Sequence, residues 1–474
     1  MHKPGQKGAT RYRFLILAAL CSLAFLTYLD RICIMRVQGD LSRDLRFGEL
    51  GPKEEAILRA RGVESDPSAR SKMSQDLATE RMSWVFSAFV AGYLLFEVPA
   101  GWLGDKWGPR SVIVRIVIGW SIFTGLTGGV ETLARALTRE PGPEHLLMCL
   151  VVIRFLFGAG EAGAYPNIAR ALGRWFPYRE RATAQSFIWF SSRLGGAIAP
   201  AVIGVLMAWG KGWQNAFWLL GAVGVIWSAW FWWWYRDRPE DQPAVNEEER
   251  RWIASDAAGS GTIYDDASPA RMPWRALLSI NVLALCLASF CVSFCFYFYI
   301  TFLPKYLKDQ FQVDYAGSQW MSGLPLLCGG IACLAGGRLS DGLIRRLGSR
   351  RWGRSLMPML GWFLAGLLAW TVPWLDSPML VVAALALGFA CQDLGVPSMW
   401  SVPADLGGKF AGTLGGWMNS AGALGGMLSP LVAAKISIQW GWNSAFVLFG
   451  CVYLVGAVAW LRVDASKPIT SKEP

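Results

Sequence analysis

Six ionisable side chains, Asp30, Arg31, Arg154, Glu161, Arg193 and Asp393, stand inside stretches that are otherwise apolar. If those stretches cross a bilayer, each charge costs about 3 kcal/mol or more at the centre, so each needs a partner, a water-filled cavity or a task. The chemistry such a set can do is exchange of partners. The first apolar stretch runs in one direction and the fourth in the other, which brings Asp30 and Arg154 to comparable depth, where they can pair. Glu161 follows Arg154 by seven residues, two helical turns and about 10 Å along one face. A guanidinium moved from a carboxylate onto an anionic ligand changes the proton affinity of the carboxylate it leaves. Arg31 suits such a ligand because its planar fork binds a carboxylate by two parallel hydrogen bonds. Asp30 and Glu161 would then carry protons while Arg154 pairs Asp30 and releases it. Tyr28, Tyr93, Tyr297, Tyr299, Gln392 and Asn419 can bond ligand hydroxyls, and Asp393 can bind a hydroxyl or neutralise Arg193.

The elements that must position these residues are long and apolar. Hydrophobic residues make up 53% of the 474 and charged ones 17%, an apolar share that calls for a lipid solvent. Stretches of about twenty residues or more match the length needed to span the hydrocarbon core as helix. Twelve such spans are expected, near 13–35, 82–104, 110–130, 146–172, 181–208 and 214–235, then 279–306, 317–341, 354–374, 377–403, 409–435 and 442–462. Residues 236–278 are too charged to cross and form a linker, followed after the second six by a tail at 466–474. The fold class is therefore an all-α membrane protein of two six-helix bundles, comprising residues 1–235 and 279–465. Phe14 to Leu29 reads as a retained span and not a cleaved signal, since no small-residue cleavage site follows it.

Lys and Arg crowd the N-terminus, the loops at Lys106 to Arg110 and Arg174 to Arg181, the linker, and Arg345 to Arg354. All of these fall on one side, which the positive-inside rule makes the cytoplasm, with both termini there. The long segment 36–81 balances acids against bases and is expected outside, with a short helix of its own. Topology thus accounts for the net charge of +11 without a nucleic-acid partner. Two histidines and ten cysteines without ligand spacing point to no metal site, and no glycine pair has the Lys-Ser/Thr ending of a phosphate loop.

The halves repeat one another. Gly101-Trp-Leu-Gly-Asp105 recurs as Gly337-Arg-Leu-Ser-Asp341, Leu194-Gly-Gly-Ala-Ile-Ala-Pro200 as Leu424-Gly-Gly-Met-Leu-Ser-Pro430, and Gly212-Trp-Gln-Asn-Ala-Phe217 as Gly441-Trp-Asn-Ser-Ala-Phe446. Ordered matches at one offset of about 230 residues mark a duplication, and parallel six-helix halves are a known transporter plan with the site at their interface.

The stretch from Gly101 through Asp105 and Gly108 to Arg110 resembles the signature of the major facilitator superfamily between spans two and three. Tyr28-Leu-Asp30-Arg31, with Arg154 through Glu161 to Pro166 and Arg174-Trp-Phe-Pro177, resembles the anion:cation symporter family, which includes bacterial sugar-acid transporters. The resemblance implies the major facilitator fold, alternation between inward- and outward-open states, and proton-coupled uptake of a carboxylate. It also implies a cytoplasmic gate. Gly101 and Gly108 would let helices approach, Asp105 would cap a helix of the other half, and Asp341 would be a weaker counterpart, with Arg110 completing the set. Two positions depart from the sugar-acid pattern: Ala423 stands where a second asparagine follows Asn419, and Arg193 where an uncharged polar residue is commoner.

The expectation is a non-enzymatic secondary transporter of the plasma (bacterial inner) membrane, moving a small organic anion with protons, without a cofactor and as a monomer. An exporter or exchanger of amphipathic compounds, and a ligand sensor that transports nothing, are the competing readings.

Overall fold

A computed structural model describes residues 9–210, 212–255, 272, 274–313 and 315–469. Lys3, Lys7, the middle of the linker and residues 470–474 of the expected tail lie outside the described residues. The first half contains α1 (Tyr12–Asp44), α2 (Pro52–Ala60), α3 (Pro67–Trp107), α4 (Pro109–Gly128), α5 (Val130–Leu137), α6 (Pro143–Glu161), α7 (Ala164–Trp175), α8 (Arg181–Gly210) and α9 (Trp213–Trp234). After a short α10 (Glu247–Ala254) come α11 (Ile280–Thr301), α12 (Leu303–Phe311), α13 (Tyr315–Leu347), α14 (Arg350–Thr371), α15 (Pro378–Gly407) and α16 (Ala411–Ala459). No strand occurs among the described residues. Helix is the expected answer to a lipid solvent, because it satisfies every backbone amide within its own segment.

Among the described residues, ten helical stretches are long and apolar enough to cross a membrane. The last, Pro378–Ala459, has 82 residues. At 1.5 Å per residue that is about 120 Å, four times the hydrocarbon thickness, so it cannot be one crossing. It bends at the 3₁₀ turn Gly408–Phe410 and at Gly441, whose φ of 80° breaks the helical ladder inside α16. Large apolar side chains such as Trp209, Trp233, Ile280 and Ile438 are exposed on the outer surface, as lipid-facing positions should be.

The segment 36–81 is more helical than expected. α1 continues to Asp44 and α3 begins at Pro67, where the Asp66 carboxylate accepts the Ser68 amide N–H at 2.9 Å, so the true connection is short and holds α2. It is fastened to its own half. Leu41, Leu45 and Phe47 are buried against Val130 and Leu146, Trp213 donates to Asp44 at 2.8 Å, and Arg81 donates to the Phe47 carbonyl at 2.9 Å while pairing with Glu144.

The halves meet most extensively along two crossings, α3 against α16 and α8 against α13. Repeat-related segments make both, since Gly101 on α3 and Gly337 on α13 come from the duplicated motif. At the first crossing Gly101 and Gly412 oppose one another, and a Cβ on either would strike the other's carbonyl oxygen. Backbone therefore touches backbone there, which only glycine permits.

Candidate functional site

A cavity lies between the halves, with about 860 Å³ of space free of protein atoms when the solvent at its mouth is included. The first half contributes Tyr28 and Arg31 from α1, Tyr93 from α3, and Trp189 and Arg193 from α8; the second contributes Tyr297, Gln392 and Asn419 from α11, α15 and α16. Two guanidinium groups therefore face one space. Tyr299 does not reach it and instead packs on Phe389 at 4.7 Å, and Ala423 forms part of the wall.

Arg31 is held from behind. Its Nη2 and Nε donate to Glu161 Oε1 at 2.6 and 3.1 Å, and its guanidinium lies over Tyr93 at 4.9 Å and Tyr28 at 5.3 Å. Glu161 ends α6 two residues before the break at Gly163, whose φ of 84° lets α7 start on a new axis. Glu161 is buried outside the cavity wall, so the arginine stands between it and the open space.

The expected Asp30–Arg154 pair is not formed in this conformation. Asp30 Oδ2 instead accepts the Thr124 hydroxyl at 3.1 Å, while the Arg154 guanidinium lies over Phe157 at 4.3 Å and Phe89 at 5.3 Å. Comparable depth was not enough; the side chains point to different neighbours. Asp30 Oδ1, Arg154 Nε and Glu161 Oε2 are all buried without a hydrogen-bond partner in the protein. Such atoms are costly to leave unmatched inside a protein.

Arg193 meets Asp393 across the halves, Nε to Oδ2 at 3.3 Å and Nη2 to Oδ1 at 3.4 Å. Asp393 also accepts from Gln392 at 3.0 Å, and Gln392 accepts the Tyr453 hydroxyl at 2.6 Å. Asp393 is fully buried, whereas Arg193 borders the cavity. Below them Tyr165 stacks on Trp189 at 4.8 Å, and Trp400 of the second half closes on both, an aromatic floor to the cavity.

Beyond the floor the molecule is shut by two related clusters. Asp105 at the end of α3 accepts the amides of Gly412 and Thr413 at 2.9 and 2.6 Å, capping the start of α16, and pairs with Arg170. Asp341 on α13 accepts the amides of Ala182 and Thr183 at 3.3 and 2.7 Å, capping the start of α8, and binds Arg354 at 2.7 Å. Helix N-termini favour carboxylates through their free N–H groups and dipole. Asp341 is thus a full counterpart of Asp105 and not a weaker one, because Arg354 joins it to Asp405, which also holds Arg181 at 2.7 Å. Gly108 and Arg110 do not take part in this closure. Arg110 donates its backbone N–H to Asp237 at 2.9 Å and its side chain to the Trp232 carbonyl, so the pair fastens the end of α9 within the first half. Among the described residues, hydrogen bonds between the halves are confined to this closed end and to mid-depth.

Sequence reasoning missed Glu97. It is fully buried on α3, accepts from Asn419 of the second half at 2.6 Å, and accepts the Gly163 amide N–H at 2.8 Å. The signal was present, an acid in the apolar run Leu94-Leu95-Phe96-Glu97-Val98, by the same criterion that flagged the others.

Two duplicated helical halves around a cavity that holds two guanidinium groups, sealed at one end by helix caps, make an integral membrane carrier. The sequence profile of the Major Facilitator Superfamily matches residues 20–430 and again 343–474, and the chain belongs to that superfamily. It is 31% identical to the probable sulfoacetate transporter SauU of Cupriavidus necator, over 98% of this chain and 97% of that one. It is 28% identical to the probable galactarate/D-glucarate transporter GudP of Escherichia coli, over 83% and 87% of the respective chains. Among solved structures, a double-tryptophan mutant of XylE superposes with a TM-score of 0.69 over 95% of each chain at 12% identity, a likeness of fold alone. The chain is a transporter and not an enzyme.

Proposed function

We propose that this chain is a proton-coupled symporter that imports a small organic acid anion by alternating access. One observation carries the proposal: Arg31 faces the cavity while its carboxylate partner, Glu161, is buried behind it. A substrate carboxylate that takes the two N–H groups of Arg31 leaves Glu161 ionised in a low dielectric, a cost of several kcal/mol that a proton removes. Substrate and proton are thereby bound together. Asp30 is the second proton carrier, with Arg154 free to swing toward it once Arg31 has turned to the substrate.

Arg193 gives the cavity a second cation, fitted to substrates acidic at both ends. Sulfoacetate and galactarate, named for the relatives, both have that form. Tyr28, Tyr93, Gln392 and Asn419 supply hydrogen bonds to the remainder.

The basic residues orient the sealed end toward the cytoplasm. The conformation is then outward-facing, with twelve crossings in halves 1–235 and 279–465 joined by a cytoplasmic linker, both termini inside, and the 36–81 segment outside. One chain encloses the whole cavity and works as a monomer in a bacterial inner membrane.

The test is Glu161→Gln in proteoliposomes with sulfoacetate and galactarate as probes. Exchange across the membrane with substrate on both sides should persist, while accumulation driven by a proton gradient should disappear. Undiminished gradient-driven accumulation by Glu161→Gln would end the proposal.

A further inference from the structure

Glu97 has no part in the exchange just described, yet it is wired to it on both sides. Its two oxygens are divided between the halves: Oε1 accepts the Asn419 amide at 2.6 Å, and Oε2 accepts the backbone N–H of Gly163 at 2.8 Å. Gly163 is the left-handed joint between α6 and α7, two residues beyond Glu161. The other N–H of Asn419 goes to the Tyr93 hydroxyl at 2.9 Å. Asn419 and Tyr93 line the cavity, whereas Glu97 lies behind them, fully buried. The charged groups facing Glu97 are Arg31 on α1 and Glu161 on α6, with Tyr93 one turn back on its own helix. Among the described residues no cation stands in salt-bridge contact with it.

An amide has two N–H groups, and both of those on Asn419 are committed. A substrate oxygen that binds the Asn419 amide must take one of them. Withdrawal from Glu97 leaves an ionised carboxylate with a single neutral donor inside the membrane, the kind of charge that a buried site neutralises by taking up a proton. The same loss occurs when the halves part, because Asn419 and Glu97 belong to opposite halves. The protonated acid can in turn donate to the Asn419 carbonyl oxygen, so the contact reverses its polarity and is not simply lost.

We propose that Glu97 is a further proton-exchanging carboxylate of the transport cycle, protonated when substrate claims the Asn419 amide and deprotonated when that amide returns. The inference rests on the proton-coupled reading above. The proton enters from cavity water past the Tyr93 and Asn419 side chains and leaves to cytoplasmic water. With the charge gone, Glu97 also loosens its hold on the Gly163 amide, so the joint beside Glu161 softens as substrate binds.

The experiment counts protons taken up by the purified full chain in weakly buffered detergent when sulfoacetate or galactarate is added. Glu97→Gln should bind the probe while taking up one proton fewer than wild type, and its coupling ratio in liposomes, read from the zero-flux potential, should fall by one. An unchanged count in Glu97→Gln overturns the inference. Should that variant not fold, Asn419→Ala decides: Glu97 then keeps only the Gly163 donor, holds its proton before substrate arrives, and the count again falls by one, whereas a wild-type count overturns the inference. If Glu161→Gln lowers the count and Glu97→Gln does not, this inference alone fails. If the wild-type chain binds the probe without taking up protons, both readings fail.

Discussion

The sealed end and the mid-membrane cluster are both built from buried acids and arginines, but they are matched to different degrees. At the sealed end Asp405 bonds Arg181 and Arg354 at 2.7 and 2.8 Å, and Asp341 binds Arg354 and two helix amides. The mid-membrane cluster leaves Asp30 Oδ1, Glu161 Oε2 and Arg154 Nε without partners. Matching every oxygen of Asp105, Asp341 and Asp405 suits a latch, since each charge removed strands another. Incomplete matching suits the switch proposed above, because a proton or a substrate oxygen can enter without first breaking every bond present.

The contrast can be broken at several points. The largest effect belongs to Asp405→Ala, which strands two buried guanidinium groups and should cost about 3–5 kcal/mol. Thermal unfolding in detergent checks it, and a melting temperature equal to wild type would show that the latch holds nothing. Asp105→Ala removes the cap on α16 and should cost about 1–2 kcal/mol of the sealed state. Distances between spin labels at the ends of α3 and α16 should then report a population opened on that side. Arg193→Gln sharpens the other member of the comparison. It should weaken binding of substrates acidic at both ends by about tenfold, or 1.4 kcal/mol, and leave single-acid analogues unaffected in calorimetry. The smallest effect is Arg70→Ala, outside the membrane, where Arg70 hydrogen-bonds Glu55 and holds its carboxyl below the ordinary 4.5. A lowered carboxyl stabilises above its unfolded value and loses that contribution as pH falls through the lowered one. Any difference in melting temperature should therefore be slight at neutral pH and vanish on acidification.

Much of this was legible beforehand, because lipid allows so few backbone solutions. Apolar length predicted the helices, and the duplicated motifs predicted that Asp105 and Asp341 would do related work. What escaped were relations set by partners remote in sequence. Arg110 finds Asp237 across 127 positions, and Glu97 finds Asn419 across 322. Arg354, which makes Asp341 the equal of Asp105, sits 13 residues on, beyond the turn between α13 and α14. Whether Asp30 turns to Arg154 or to Thr124 is decided by side-chain rotation, which residue spacing does not encode.

Where Gly101 meets Gly412, the two halves touch without interlocking side chains. Most helix contacts mesh like gear teeth and must be lifted apart before one surface passes another. A bare contact behaves as a bearing: friction is low, and only the hydrogen bonds beside it resist rotation. Turnover would then be paced by how quickly Asp105 releases the α16 amides, and a single methyl at position 412, striking the Gly101 carbonyl, would wedge the bearing open while leaving the substrate chamber untouched.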